Sequence, residues 1–307
     1  AEFKGALASA SADMSDVKYH MGKSYDITTA TGQQVHVSLL SNPSHLEAVN
    51  PVVEGSARAR QRRKGETGRQ RVLPVLIHGD AAFAGQGVVM ETLNFAQLEG
   101  YTTGGTVHLV INNQVGFTAE PHETCGTAYC TDVARLLQVP IFHVNAADPE
   151  ACIVVMQWAA EYRARFGRDV VVDLVCYRKY GHNEGDDPTF TQPLMYEKIR
   201  AQPLPYVAYQ NHLISAGQWT AAAAKAQLEA YQQSLEGAYA EALKLTQAPA
   251  PDEFKAGPWQ SLTRHSEAEP DTAITPTVLA AIAAATTQQP TGFTPHPKVW
   301  KLIEQRA

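Results

Sequence analysis

The chain has 307 residues, 44% of them hydrophobic and 18% charged, which supplies a sizeable core and excludes wholesale disorder. Its 25 basic and 31 acidic residues give a formal net charge of −6, an unfavourable balance for a general nucleic-acid binder. No apolar run is long enough to cross a bilayer, and residues 1–20 lack the basic-then-apolar order of a secretory signal.

Residues 1–15 are small and polar and read as a lead-in. The chain opens without an initiator Met, as an excised piece of a longer polypeptide would. QVHVSLL, residues 34–40, alternates like a strand, and Ser44 with Glu47 stands at capping-box spacing before a helix running to about Arg63. RVLPVLIHGD, residues 71–80, is a continuous apolar run, expected of a strand buried on both faces. Residues 85–100 carry helical periodicity closed by Gly100; TVHLVINNQ and IFHVN are further buried strands. Asp148-Pro149-Glu150 opens a helix to about Phe166, which hands over to the strand DVVVDLVCYR. This order predicts an α/β fold, a doubly wound parallel sheet with flanking helices. Beyond Pro188 the expectation is helical: one long helix over 219–247, a linker over 248–275, and short helices near 277–286 and 297–306. The expected division is an α/β domain over 1–205, a helical extension over 206–250, and linker with short helices over 251–307.

Chemistry gathers at the strand ends. Gly79-Asp80 ends one buried strand and Asn112-Asn113 the next, where ligands of parallel sheets bind. A carboxylate and an amide oxygen are hard ligands suited to Mg²⁺. Asp80-Ala81-Ala82 followed by Gly85-Gln86-Gly87 exposes backbone amides at a helix start, which attracts phosphate. Gly85-x-Gly87 lacks the third glycine of a dinucleotide fingerprint, and Asn-Asn replaces its acidic residue, so that reading is rejected. The four cysteines form no CxxC pair; Cys152 and Cys176 sit in apolar runs and read as reduced, buried thiols. The basic cluster of Arg58, Arg60, Arg62, Arg63, Lys64, Arg69 and Arg71 has no interleaved aromatics and reads as a solvated helix end or partner contact.

HGDAAFAGQGVVMETLN and GGTVHLVINNQVGFT resemble the thiamine-diphosphate signature, most closely that of the E1 components of 2-oxoglutarate dehydrogenase complexes. DVKYHMG, NPSHLEAVNPVVEGSARA, YCTDVARLLQVPIFHVNAADPEA and DVVVDLVCYRKYGHNEGDDPTFTQPLMY extend the resemblance over nearly the whole chain. It implies thiamine diphosphate and Mg²⁺ as cofactors, with Asp80 and Asn113 as side-chain ligands and Val115 as a carbonyl ligand. Ala81 stands where the general signature has Gly, and Asn112 is a turn residue. The resemblance also implies substrate-side roles for His20 and Ser24, with His36 on the adjoining strand and His45 a weaker candidate. Residues 177–188 look like the loop over the diphosphate, with His182 facing the cofactor.

The activity so implied is oxidative decarboxylation of 2-oxoglutarate, with succinyl transfer to the lipoyl group of an E2 partner by a homodimer. The activating glutamate would lie beyond residue 307, making this stretch alone an incomplete catalyst. Alternatives are a 2-oxoadipate E1, a 2-oxoglutarate decarboxylase, or a non-catalytic assembly module. The expected compartment is bacterial cytoplasm, or the mitochondrial matrix for a eukaryotic source.

Overall fold

The computed structural model describes residues 20–65, 68–183, 185–244 and 271–306. The lead-in and most of the expected linker lie outside them. The chain divides into two compact units, Ala1–Glu253 and Phe254–Ala307.

The first unit opens with an antiparallel hairpin, β1 (Lys23–Thr28) against β2 (Gln34–Leu39), in a register that faces Asp26 with His36 and Ser24 with Ser38. Gly32 at φ +81° turns the corner. Only β2 is legible in the sequence. Tyr25, Ile27, Val35 and Leu39 share one face of the hairpin and are all exposed, so the usual contrast between buried and wet positions is missing. Helix α1 runs from Val49 to Arg63, later than the capping-box spacing suggests. Ser44 does not cap it, because the Ser44 hydroxyl lies against His20 and the Glu47 carboxylate is drawn to Asn50 and His78.

After the short α2 (Gly68–Arg71) come β3 (Val75–Gly79), α3 (Asp80–Gly85), α4 (Gly87–Phe95), β4 (Val107–Asn112) and α5 (Pro121–Thr124). A 3₁₀ helix over Cys130–Leu137, β5 (Ile141–Asn145), α6 (Pro149–Phe166) and β6 (Val170–Val175) complete the core. The four strands β3–β6 form a parallel sheet in the order β3-β4-β6-β5. The helical segment expected over 85–100 is α4, which stops at Phe95; a further helix, α3, precedes it across Gln86, whose extended backbone redirects the chain. Asp148 caps α6 by accepting from the Ala151 amide, Pro149 occupies its first position, and Gly167 at φ +62° ends it. The expected burial of every strand on both faces holds only for the central pair. β3 and β5 are edges, and Ile77 on β3 is 66% exposed.

Helices cover both faces. Phe83, Val89 and Leu93 from α3 and α4 meet Val110, Val171 and residues of the 3₁₀ helix on one side. Ala159 and other α6 residues meet Val107, Val144, Val170 and Val172 on the other. Arg163 on α6 is buried at the amino ends of the strands, donating to the carbonyls of Val72, Thr103 and Gly105. Gly105 has to be glycine there: φ is +95°, and a Cβ would stand 2.4 Å from the Arg168 carbonyl.

Beyond the sheet lie α7 (Pro193–Ala201), α8 (Pro205–Ser215) and α9 (Ala221–Lys244), the last being the long helix expected over 219–247. The second unit holds α10 (Pro276–Thr287), capped by Thr275, and α11 (Pro297–Glu304). Among the described residues no helix is long and apolar enough to cross a membrane. All four cysteines are free and only half-buried, so the fully buried thiols expected at 152 and 176 are not found.

Phe83 is fully buried between the sheet and the 3₁₀ helix. Phe83→Ala should cost about 3–5 kcal/mol, read as a lowered denaturant midpoint at unchanged slope, because the cavity cannot collapse.

Candidate active site

Asp80 leaves the carboxyl end of β3 as the first residue of α3, and Asn113 follows the end of β4 beside it. The two ends adjoin: the backbone N–H groups of Asn113, Ala81 and Asp80 itself lie close enough to the Asp80 carboxyl to favour its ionised form. Burial nevertheless holds this carboxyl above its ordinary range, helped by the negative charge of Asp173 nearby. Asn113 Oδ1 accepts from the Val115 amide at 3.1 Å, closing a tight turn. Within that turn Gln114 and Phe117 both hold positive φ, at 63° and 60°. Gly116 then passes so close that a Cβ would meet Ala81 Cβ at 3.3 Å and Thr124 Cγ2 at 2.5 Å. Ala81 fits here because its neighbour is glycine. Asp80, Ala81, Asn113 and Val115 therefore form one compact group.

The donors of this group are oxygens: a carboxylate, an amide oxygen and the backbone carbonyls of the turn. Asp173 on β6 adds a second carboxyl to the neighbourhood. Its side chain is fully buried; Oδ2 is 2.7 Å from His143 Nδ1, whereas Oδ1 has no hydrogen-bond partner. Two buried carboxyl groups close enough for one to raise the pKa of the other are what a divalent cation would relieve. Among the described residues no cluster of three His, Cys, Asp or Glu side chains has metal-binding geometry.

His182 lies on the loop after β6. Its ring meets Phe117 edge-on, with centroids 5.1 Å apart, so this loop touches the β4 turn. Arg178 clasps the loop by donating to the carbonyls of Tyr180, Gly181 and His182, while the His182 amide donates to Asp186 Oδ2 at 2.7 Å. Beneath it opens a cleft of about 980 Å³ lined by Tyr177, Lys179, Asn183, Asp187 and Arg200. A smaller cleft of about 450 Å³ lies at the strand ends between Gln114, His143, Asn145 and Cys176.

The substrate-side residues expected from the sequence are spread along the hairpin and its approach. His20 Nε2 is 3.2 Å from Ser44 Oγ. Ser24 donates to Ser38 at 3.1 Å, and Ser38 also accepts from Arg60. His36 is paired across the strands with Asp26 at 2.8 Å and is exposed. Arg58 donates to the Thr102 carbonyl, so part of the basic cluster is spent inside the molecule.

Sequence reasoning missed a buried polar chain on the same sheet face. Glu47 Oε2 is 2.6 Å from His78 Nδ1, His78 Nε2 is 3.1 Å from His108 Nδ1, and His108 Nε2 is 3.2 Å from Asp169 Oδ2. Burial holds the His78 ring below its ordinary pKa. Histidines at even positions of two adjacent strands, 78 and 108, were the available signal.

The family model for the dehydrogenase E1 component matches residues 6–251. The chain belongs to the dehydrogenase E1 component family. It is 48% identical to the 2-oxoglutarate dehydrogenase E1 component of Cupriavidus necator, across 95% of this chain and 31% of that protein. It is 46% identical to the protein of the same description from Azotobacter vinelandii, across 95% of this chain and 31% of that protein. Against the mitochondrial 2-oxoglutarate dehydrogenase of Dictyostelium discoideum the identity is 43%, across 99% of this chain and 30% of that protein. This E1 chain thus spans about a third of the length of the curated relatives it matches, at most 31% of each.

Arg178→Ala removes the clasp without touching the sheet. Amide exchange over residues 177–187 should then accelerate by at least about tenfold, while β4 and β6 keep their protection.

Proposed function

We propose that this chain carries the diphosphate-binding half of a thiamine-dependent E1 that decarboxylates 2-oxoglutarate and delivers the succinyl unit to the lipoyl group of an E2 partner. One observation carries the reading: in a member of the E1 family, the Asp80 carboxylate and the Asn113 turn stand side by side at adjacent strand ends, and the loop bearing His182 touches that turn. The family and the printed descriptions of the relatives supply the substrate class.

In this reading Asp80, Asn113 Oδ1 and the Val115 carbonyl would hold Mg²⁺, and the backbone amides beyond Asp80 would receive the diphosphate. Thiamine diphosphate, when bound, supplies the nucleophilic carbon and the electron sink that decarboxylation of a 2-oxo acid requires. The chain's own residues bind and position. Arg178 and Asp186 hold the loop that sets the His182 ring edge against Phe117 of the β4 turn. His20 and Ser24 are donors suited to the distal carboxylate of the substrate, with His36 contributing through the same polar hairpin face. A homodimer of the full-length enzyme and a bacterial cytoplasmic or mitochondrial location complete the proposal.

Asp80→Asn in the full-length enzyme should abolish Mg²⁺-dependent binding of thiamine diphosphate, followed by quenching of intrinsic fluorescence. The pH dependence has a definite sign. The metal needs the ionised carboxylate, and burial raises the pKa of that group, so affinity should fall on acidification at a pH above the ordinary aspartate range. A near-native titration curve in Asp80→Asn would end the metal assignment.

His20→Ala should lower kcat/KM for 2-oxoglutarate by roughly ten- to a hundredfold, the effect of one lost charge-assisted hydrogen bond, while diphosphate binding stays nearly intact. Steady-state kinetics on 2-oxoglutarate, 2-oxoadipate and 2-oxovalerate test this and the substrate class together. Preference of the wild type for 2-oxovalerate would overturn the carboxylate-pocket reading.

A further inference from the structure

Glu47 is a buried glutamate held at φ +67°, in the left-handed region that non-glycine residues rarely enter. Such a conformation persists only where surrounding contacts over-determine it. Here the contacts are specific. Glu47 Oε2 accepts from Asn50 Nδ2 at 2.7 Å on one side and meets His78 Nδ1 at 2.6 Å on the other. The His78 ring has 0% side-chain exposure and is braced by Phe83 at 4.7 Å between centroids. His78 stands two residues before Asp80 on β3, whereas Glu47 stands three residues after Ser44, whose hydroxyl holds His20. A second tie fastens the same arm, since the Asn42 amide donates to the His20 carbonyl at 3.1 Å.

The carboxylate is thus the link between two parts of the proposed site. One is the arm of residues 41–48 that supports His20; the other is the strand end that presents Asp80. The sheet itself fixes the strand end through its ladders to β4. Among the described contacts, nothing of comparable burial fixes the arm. We propose that Glu47 is a positioning residue, acting through Ser44 to set His20 at its place relative to Asp80 and hence to set recognition of the distal carboxylate of the 2-oxo acid. This rests on the functional reading given above.

Two variants separate the role from simple folding. Glycine accepts φ +67° without strain, so Glu47→Gly removes the carboxylate while sparing the backbone, and Glu47→Gln keeps an acceptor of the same size. In the full-length enzyme Glu47→Gly should raise KM for 2-oxoglutarate by about tenfold with thiamine diphosphate affinity changed less than about threefold, and Glu47→Gln should recover most of the loss. The double variant Glu47→Gly/His20→Ala should be no worse than His20→Ala alone, since one change acts through the other. Amide exchange in the cofactor-free protein should quicken over residues 20–24 and 41–48 and stay unchanged over 107–112. Unchanged exchange in the arm, effects that multiply in the double variant, or an equal loss of diphosphate affinity would each overturn the proposal. A parent enzyme that decarboxylates no 2-oxo acid would overturn the functional reading instead, and the exchange pattern, which needs no turnover, would still decide whether Glu47 places His20.

Discussion

The structure depends on how one sheet face manages buried charge. At even positions of β3 and β4 and odd positions of β6 the sequence places His78, His108 and Asp173 beside Leu76, Val110 and Val171, so hydrocarbon and polar groups share the face covered by α3 and α4. Each buried polar atom needs a partner or costs about 1–3 kcal/mol. The chain from Glu47 through His78 and His108 to Asp169 answers that need, and Asp169 passes it on by accepting from the Thr106 amide. Glu54, accepting from Thr103 and Thr106 close by, is itself pushed above the ordinary carboxylate range by burial. Arg163 supplies fixed positive charge at the same end of the sheet. The face is held by a network that works only when complete.

At the carboxyl ends of the strands the same face carries two more buried carboxyl groups, Asp80 and Asp173. His143 meets one oxygen of Asp173, and the other has no hydrogen-bond partner. Cys130 shows the field from a neighbour's position: burial, then Asp173 and Asp80, push its thiol up to about 12. A thiol so placed is a poor nucleophile, chiefly because burial disfavours its thiolate.

Much of this was legible in the sequence, and the failures are physical rather than random. The apolar runs ending in Gly79-Asp80 and Asn112-Asn113 marked β3 and β4, and Asp148-Pro149 marked α6, because capping and strand burial leave local signals. The first hairpin strand was hidden, since the apolar residues of Lys23–Thr28 are exposed and carry no contrast. The capping-box spacing of Ser44 and Glu47 misled because both side chains have tertiary partners, His20 and His78, that outbid the local bond. The Asp80 and Asn113 pair was readable because a motif fixes it. The Glu47 chain was not, because its members come from four separate segments and meet only after the sheet has formed.

Strain follows the same division. Among the described residues four non-glycine side chains sit at positive φ, namely Glu47, Gln114, Phe117 and Gln138. Gln138 ends the 3₁₀ helix, an ordinary use of that conformation. The other three stand at the proposed site: Glu47 in the arm that bears Ser44, the partner of His20, and Gln114 and Phe117 in the turn beside Asp80. Each is held by a contact to a neighbouring segment, Glu47 to His78, Gln114 to the Cys176 carbonyl and Phe117 to the His182 ring. Regular ladders and close-packed apolar residues make the centre of the sheet tolerant of such cost at its rim. The three strained residues are therefore the places where separate segments are tied to one another, and the fold concentrates that cost at the carboxyl ends of the strands, where a ligand would be held.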